Sequence, residues 1–126
     1  MIIGIGHDIV EIDRIAKIWQ RFGHKFSSKI LTTEEQKHIP GKAASYLASR
    51  FAAKEAAVKA LGTGFSLGIT FQSLSVFSEA SGQPKLLFRD RALARLLELC
   101  VTQHHISITH SINISSAVVI LEKRED

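Results

Sequence analysis

The chain has 126 residues, 45% of them hydrophobic, and a formal net charge of +4. This length is typical of a single domain with a packed core, and no apolar run approaches the roughly 20 residues that a membrane-spanning helix needs. Cys100 is the only cysteine, which excludes an internal disulfide and favours a reducing, cytoplasmic location. The basic balance favours an anionic partner, but no nucleic-acid recognition motif accompanies it, so we expect no nucleic-acid binding.

The N-terminus predicts a β-strand. Residues 2–10 read IIGIGHDIV, an apolar and largely β-branched run that Gly4, Gly6 and Asp8 interrupt. Glycine inside a strand marks a bulge or a close approach by another group. A carboxylate at such a place is more often a structural residue at a strand end than a metal ligand. The strand alone therefore leaves the role of Asp8 open.

A helix is predicted next, with Asp13 as its N-cap and Phe22 near its end. Its apolar stripe consists of Ile15, Ile18, Trp19 and Phe22. Three basic residues follow a separate line along the same helix: Arg14, Lys17 and Arg21, here called the basic ridge. Most such ridges are solvated helix faces, and the functional alternative is a docking surface for an acidic protein.

A second, longer helix is the most informative element. The capping-box spacing of Thr33-Glu34-Glu35-Gln36 predicts a short helix before it, and Pro40-Gly41 breaks the chain. The long helix is predicted over residues 42–61 and ends at Gly62. Steps of three and four residues put one carboxylate and one lysine among apolar side chains on one side of it. That side comprises Ala48, Phe51, Ala52, Glu55, Val58 and Lys59.

A carboxylate on an apolar helix side needs compensation, because burying an unpaired charge is costly. Lys59, one turn after Glu55, is the nearest cation. If Asp8 and Glu55 converge, a hard divalent cation such as Mg²⁺ relieves their repulsion most simply. Lys59 and the free N–H groups of Gly62-Thr63-Gly64, here called the glycine turn, then hold phosphate oxygens beside the metal. By itself the glycine turn reads as a helix C-cap, and it lacks the form of a P-loop.

The second half of the chain predicts a hairpin, a helix and two strands. The hairpin strands are residues 74–78 and 85–88, joined by the turn Ser81-Gly82-Gln83-Pro84. The helix covers residues 90–101 and carries Leu93, Leu96, Leu97 and Cys100 inward, and the last strands cover residues 106–110 and 116–121. We therefore predict one α+β domain over residues 1–126, with a mainly antiparallel sheet packed against helices. The spacing of His104, His105 and His110 matches no standard zinc site.

Three segments in this order resemble the 4′-phosphopantetheinyl transferases. They are Gly6-x-Asp8, the helix segment Phe51-Ala52-Ala53-Lys54-Glu55-Ala56-x-x-Lys59, and the glycine turn. The short chain and the late segment Ile106-Ser107-Ile108-Thr109-His110-Ser111 point further, to the bacterial holo-[acyl carrier protein] synthase branch. The resemblance covers nearly the whole chain.

The resemblance implies a reaction. A serine hydroxyl of apo-acyl carrier protein attacks the β-phosphorus of coenzyme A, 3′,5′-ADP leaves, and 4′-phosphopantetheine stays attached, in support of fatty acid biosynthesis. Asp8 and Glu55 hold Mg²⁺, or alternatively Mn²⁺. Either Glu55 or a water on the metal accepts the serine proton, and Lys59 stabilises or protonates the leaving phosphate. The family fold is a homotrimer of helix-backed antiparallel sheets with active sites at the subunit interfaces.

The resemblance also implies binding residues. The glycine turn lies on the coenzyme phosphates, and Arg50, Lys54 and His110 hold its remaining phosphate or adenosine across a subunit boundary. Gly82 and Pro84 border the adenine. Ser107 and Thr109 belong with His110 to the segment that contacts coenzyme A, whereas His7 has no catalytic duty. The acidic carrier protein docks on the first helix, at Arg14, Lys17, Ile18 and Arg21.

The chain departs from the family pattern after His110, where Ile114 and Ser115 replace an aromatic residue and an alanine, and in the turn at residues 81–84, which lacks the usual Asn and Lys. Neither departure touches Asp8, Glu55 or Lys59. Two other functions are compatible with the residues: a Mg²⁺-dependent hydrolase of nucleotides or pyrophosphates, and a non-enzymatic basic module that binds an acidic protein or nucleic acid.

Overall fold

The computed structural model describes residues 1–125. Its elements, in chain order, are β1 Ile2–Glu11, α1 Ile12–Phe22, α2 His24–Ile30, α3 Thr33–Gln36, α4 Ala43–Ala60, a 3₁₀ turn at Phe71–Ser73, β2 Leu74–Ser78, β3 Pro84–Phe88, α5 Asp90–Glu98, β4 Gln103–His110 and β5 Ile114–Glu122. Within residues 1–125, no helix has the length and apolarity needed to cross a bilayer.

The strands form two antiparallel sheets, which confirms the predicted α+β class. One sheet has the order β1-β5-β4, and the other is the hairpin β2-β3. Buried residues alternate along β5, where Ser115, Ala117, Val119 and Leu121 face inward. This alternation is expected of an antiparallel sheet that carries helices on one face only. The other face of the sheet is left uncovered within one chain.

Helix α4 lies directly on β1, and two glycines make this possible. A Cβ on Gly6 would overlap the carbonyl oxygen of Ala56, and a Cβ on Gly4 would overlap that of Ala60. The glycines of the N-terminal strand therefore mark a close approach of the helix backbone. The alanines on the helix side serve the same end, since Ala52, Ala53 and Ala56 have no exposed surface.

One charged pair is buried in the core. Lys54 Nζ lies 2.6 Å from Glu35 Oε1, and their side chains are 0% and 2% exposed. Burial lowers the pKa of Lys54, and the Glu35 carboxylate opposes that change. Removing one partner of such a pair typically costs about 3–5 kcal/mol of stability, because the other charge is left uncompensated.

Three local predictions need correction. The capping box joins Thr32 to Glu35 and therefore starts one residue earlier than predicted. Helix α1 has Glu11, and not Asp13, at its N-cap position, since β1 runs straight into the helix and Ile12 N–H donates to Asn113 O.

Helix α5 is also shorter than predicted. It ends at Glu98, because Cys100 adopts φ 59° in a C-terminal turn closed by the N–H groups of Cys100 and Val101. Cys100 is consequently exposed, and Leu93 and Leu97 are 40% and 64% exposed. The inward face of the helix is formed by Ala92 and Leu96 instead.

Candidate active site

Asp8 and Lys59 meet between β1 and α4. Asp8 lies on the strand face that packs on the helix, in register with the buried Ala117. Lys59 Nζ donates to Asp8 Oδ1 at 3.0 Å and to His7 O at 3.1 Å. The side chain of Asp8 is 17% exposed and that of Lys59 is 50% exposed, so the pair opens to solvent on the lysine side. This contact fixes the ammonium group beside the carboxylate.

Glu55 completes this group, here called the β1–α4 cluster (Asp8, Glu55 and Lys59). It lies one helical turn before Lys59 and is half-buried. Burial raises the pKa of Glu55, the Asp8 carboxylate raises it further, and Lys59 acts in the opposite direction. The cluster therefore concentrates more negative charge than its single lysine neutralises.

The cluster fits a divalent cation that takes most of its ligands from elsewhere. Mg²⁺ is usually held by one or two carboxylates, with waters and substrate phosphates completing its coordination. Asp8 and Glu55 supply two such carboxylates, and the pKa of Glu55 is raised first by burial and then by the Asp8 carboxylate, whose repulsion a cation would relieve. No set of three or more His, Cys, Asp or Glu side chains within residues 1–125 is arranged to hold a metal. The described residues therefore do not form a metal site in which the protein supplies every ligand.

The glycine turn caps α4, so the expectation of free N–H groups is wrong. Gly62 N–H donates to Lys59 O at 3.0 Å, and the N–H groups of Thr63 and Gly64 both donate to Val58 O, at 3.3 and 3.2 Å. Gly62 and Gly64 adopt φ 78° and 61°, which favour glycine. The glycine turn therefore presents to a ligand a stretch of backbone that few side chains cover, directly after Lys59.

A second group of predicted residues lies around a cavity of about 230 Å³ next to the β2-β3 hairpin, here called the hairpin cavity. The predicted residues among its lining are Arg50, Gly82, Pro84 and His110. The sequence reasoning missed Tyr46, whose ring lies 4.0 Å from the Arg50 guanidinium carbon. Arg50 Nη1 donates to Ser49 Oγ at 2.9 Å. Arg50 Nε is buried and has no hydrogen-bond partner in the described part of the chain, so this guanidinium retains donor capacity.

Three predicted coenzyme ligands, Lys54, Ser107 and Thr109, lie neither in the hairpin cavity nor at the β1–α4 cluster with its glycine turn. Lys54 is fully buried and bonded to Glu35, which contradicts a contact with coenzyme A. Ser107 and Thr109 are exposed on the uncovered face of the sheet, because side chains alternate along β4 and Ile108 and His110 take the cavity side. These two hydroxyls are therefore separated by the sheet from the residues that they were expected to join.

The β1–α4 cluster and the hairpin cavity lie on different sides of α4. At about 100° per residue, Arg50 and Lys59 are roughly half a turn apart around the helix axis. Glu55 is about 140° from Arg50 by the same geometry. One chain therefore presents two separate groups of candidate residues.

The basic ridge is exposed, as a docking surface must be. Lys17 Nζ lies 3.2 Å from Asp13 Oδ2, with both side chains at least three-quarters exposed, so the pair competes weakly with another partner.

Beside the ridge, Ile18 lines an apolar hollow of about 290 Å³ between α1 and α2, together with Phe22, Lys25, Phe26 and Lys29. Sequence reasoning missed this hollow because it treated Phe22 as a core residue and found no helix after it; Phe22 is 47% exposed.

A different cavity, of about 480 Å³, lies between α3 and β2. It is lined by Glu34, His38 and Arg89 among others, and by none of the predicted site residues. Cavity size alone therefore does not locate the candidate chemistry.

Known proteins are similar to this chain over nearly its whole length. The family model described as the 4′-phosphopantetheinyl transferase superfamily matches residues 4–111, a range that includes Asp8 and His110. Holo-[acyl-carrier-protein] synthase of Maridesulfovibrio salexigens is 52% identical over 98% of this chain and 100% of its own. The crystal structure of holo-[acyl-carrier-protein] synthase from Neisseria meningitidis has TM-score 0.89 and 38% identity, covering 98% of this chain and 100% of that one. The enzyme of Bacillus anthracis, solved in complex with CoA (3′,5′-ADP), has TM-score 0.82 and 34% identity, covering 98% and 99%.

Proposed function

The chain belongs to the 4′-phosphopantetheinyl transferase superfamily and is an enzyme of its holo-[acyl-carrier-protein] synthase branch; on this basis we propose that it transfers 4′-phosphopantetheine from coenzyme A to a serine of apo-acyl carrier protein. The serine oxygen forms a bond to the β-phosphorus of coenzyme A, and the bond to the bridging pyrophosphate oxygen breaks. The products are holo-acyl carrier protein and 3′,5′-ADP.

The observation that carries this proposal is the β1–α4 cluster. Two carboxylates and an ammonium group, from segments about 50 residues apart in sequence, meet beside a turn with little side-chain cover. Phosphoryl transfer depends mainly on positioning and on neutralising phosphate charge, and these are the groups that such a step uses.

We propose that Asp8 and Glu55 hold Mg²⁺, or Mn²⁺ in its place. The metal, when bound, neutralises charge on the pyrophosphate. Lys59 donates a hydrogen bond to the leaving phosphate, from the position that it occupies beside Asp8. Glu55 in its charged form accepts the proton of the attacking serine.

The rest of coenzyme A is proposed to lie in the hairpin cavity of a neighbouring subunit. Arg50 and His110 bind a phosphate there, and Gly82 and Pro84 border the adenine, with Tyr46 holding the Arg50 guanidinium in place. Support comes from the half-turn between Arg50 and Lys59, which keeps one chain from using both groups on one coenzyme.

We propose a homotrimer as the active form, in line with the family resemblance. The uncovered face of the β1-β5-β4 sheet is a suitable contact surface. Ile5 and Ile9 on this face are 60% and 59% exposed, and Val118 and Ile120 of the paired strand β5 lie beside them. Apolar side chains gathered on one sheet face are typical of a surface that another subunit covers.

The carrier protein is proposed to dock on α1. The basic ridge attracts an acidic partner, and the hollow beside Ile18 accepts an apolar side chain from it. We place the reaction in the cytoplasm and in fatty acid biosynthesis, as the similarity to carrier-protein synthases suggests.

The experiment that tests the proposal is the intact mass of an apo-acyl carrier protein after incubation with this enzyme, coenzyme A and Mg²⁺. We expect a mass gain of one phosphopantetheine group that disappears in a parallel sample with chelator. A sample without carrier protein is the control for hydrolysis, and release of 3′,5′-ADP there would indicate a hydrolase instead. No mass gain on a competent carrier would overturn the proposal.

A further inference from the structure

Lys54 uses all of its hydrogen-bonding capacity inside the core. Its Nζ donates to Glu35 Oε1 at 2.6 Å, to Ile30 O at 2.8 Å and to Phe71 O at 3.1 Å. An ammonium group has three donors, so each of these bonds takes one. Phe71 lies in the 3₁₀ turn that follows the glycine turn in the chain. Lys54 thus ties α4 to the segment that leaves the glycine turn.

The partner of Lys54 is itself held by backbone groups. Glu35 Oε1 accepts Thr32 N–H at 2.8 Å, and Glu35 Oε2 accepts Val76 N–H at 2.7 Å. A carboxylate bound to two amides and an ammonium group has little freedom to move. The place of Lys54 Nζ, and with it that of the Phe71 carbonyl, is therefore fixed by α3 and β2.

The ring of Phe71 extends this connection to the glycine turn. It stacks on Phe65 with 4.1 Å between ring centroids and an interplanar angle of 27°, and on Phe51 at 5.6 Å and 28°. Phe65 directly follows Gly64, the last residue of the glycine turn, and Phe51 precedes Glu55 by one helical turn. A stack of this kind contributes attraction beyond simple burial and has a preferred geometry.

We propose that Lys54 is a positioning residue, which sets the glycine turn relative to Glu55 through the backbone of Phe71 and the stacked ring of Phe65. The helix end already fixes Gly62 through its bond to Lys59 O. Gly64 N–H also donates to Val58 O, and the aromatic stack holds Phe65, the residue that follows the turn. The inference rests on the proposed function in one respect, that the glycine turn serves coenzyme A.

The alternative is that Lys54 serves stability alone, since burial of a charged pair in a core accounts for its contacts without any effect on the turn. The two roles predict different results. A positioning role changes the affinity for coenzyme A through Phe65, whereas a purely structural role lowers the melting temperature without a selective effect on the coenzyme.

The experiment is a double-mutant cycle with Lys54→Met, Phe65→Leu and the double variant, measuring KM for coenzyme A, KM for the carrier protein and the melting temperature. Amide hydrogen exchange of residues 62–68 is measured on the same proteins. Leu121→Ala is the matched control, because Leu121 is fully buried in β5 and far along the chain from the stack. If Lys54→Met does not fold, Glu35→Gln takes its place in the cycle, because Glu35 fixes the position of Lys54 Nζ.

We expect each single variant to raise KM for coenzyme A on the order of tenfold, with KM for the carrier protein unchanged. In the double variant the rise should stay near that of one single change, since both act on the same connection. Exchange at residues 62–68 should quicken in Lys54→Met, and Leu121→Ala should lower the melting temperature without either effect.

The inference is overturned if Lys54→Met lowers the melting temperature but leaves KM for coenzyme A and the exchange of residues 62–68 as in the wild type. Multiplying effects in the double variant would overturn it as well. Hydrogen exchange needs no turnover, so it decides the inference even if the wild-type protein fails to modify a carrier, which would instead contradict the proposed function.

Discussion

Lys59 Nζ lies 3.0 Å from Asp8 Oδ1, and this contact joins the first strand to the last turn of α4. The lysine compensates Asp8 from one side, while Glu55, one turn back on the helix, keeps a raised pKa. Within the β1–α4 cluster, Asp8 and Lys59 therefore form an ion pair with each other, whereas the charged form of Glu55 is disfavoured by burial and by Asp8. The first two predictions below depend on that difference.

Asp8→Asn should abolish measurable transfer, with a loss of kcat on the order of a hundredfold or more, because the metal would lose one of its two protein ligands. Thermal unfolding should change little, since the ion pair of Asp8 with Lys59 opens to solvent on the lysine side. The measurement is steady-state formation of holo-carrier protein. Glu98→Gln, an exposed carboxylate on α5, is the control and should turn over normally; normal turnover by Asp8→Asn would contradict the metal assignment.

Glu55→Gln should stabilise the chain in chelator at neutral and higher pH. Burial, followed by the Asp8 carboxylate, raises the pKa of Glu55 above 4.5. The folded state then binds more protons than the unfolded state between the ordinary and the raised pKa, so the charged form destabilises the fold as pH rises through this window. The difference in melting temperature between variant and wild type should vanish as pH falls below 4.5.

Mg²⁺ provides the control for this titration. It favours the charged form of Glu55, so it should raise the melting temperature of the wild type and not that of Glu55→Gln. A variant that is less stable than the wild type at pH 8 in chelator would show that the Glu55 carboxylate is stabilised in the fold.

Gly6→Ala should destabilise the chain by about 3 kcal/mol or more, at or beyond the upper end of overpacking costs. The added Cβ would overlap the carbonyl oxygen of Ala56, which cannot move without displacing α4. Chemical denaturation measures the loss. Gly41→Ala is the matched control, because a Cβ there meets nothing within 4 Å, and it should stay within about 0.5 kcal/mol of the wild type.

Reversing the basic ridge, with Arg14→Glu, Lys17→Glu and Arg21→Glu combined, should raise KM for the carrier protein by about tenfold or more at low salt. KM for coenzyme A should not change. The difference in KM for the carrier protein between the variant and the wild type should become smaller as salt is added, because salt screens solvent-exposed charges. Lys37→Glu, an exposed lysine outside the ridge, is the control. An equal rise in both KM values would indicate a damaged fold instead of a lost docking surface.

Mixing two inactive variants should restore activity if each site uses two subunits. Lys59→Ala removes a residue of the β1–α4 cluster, and Arg50→Ala removes one of the hairpin cavity. Co-expressed in equal amounts and randomly assembled, they should recover about one quarter of the wild-type activity, since half the subunits have each group intact. Lys59→Ala mixed with Glu55→Gln is the control and should stay inactive. No recovery in the first mixture would place both groups in one subunit.

The fold was predictable from the sequence where a residue type and its spacing are themselves the physical cause of the structure. The interruptions at Gly6 and Asp8 marked the strand face on which α4 packs, because only glycine allows that approach and Lys59 meets the carboxylate there. Helix α4 was located within one residue at each end, because Gly62 is needed for its left-handed C-terminal turn.

The position of a side chain was not predictable from the sequence where a contact between residues far apart in the chain decides it. Lys54 was expected to hold a phosphate or the adenosine of coenzyme A through the family resemblance, and the residue that compensates it, Glu35, lies 19 positions earlier with no periodic relation to it. The N–H groups of the glycine turn looked free because the sequence does not show which carbonyl they bind. Cys100 looked buried from its leucine neighbours, but Cys100 itself adopts a left-handed conformation in the turn that follows the end of the helix at Glu98.

Because Lys54 and Glu55 are adjacent on α4 and have different partners, this helix cannot gain or lose a residue before them without harm. They project about 100° apart around α4, one into the core and one toward β1. A single residue inserted between Leu47 and Lys54 would turn both charges away from their partners at once, and a deletion there would do the same in the opposite sense. The distance along α4 is therefore fixed residue by residue, whereas the hairpin turn at residues 79–83 is exposed and can lengthen without moving Lys54 or Glu55.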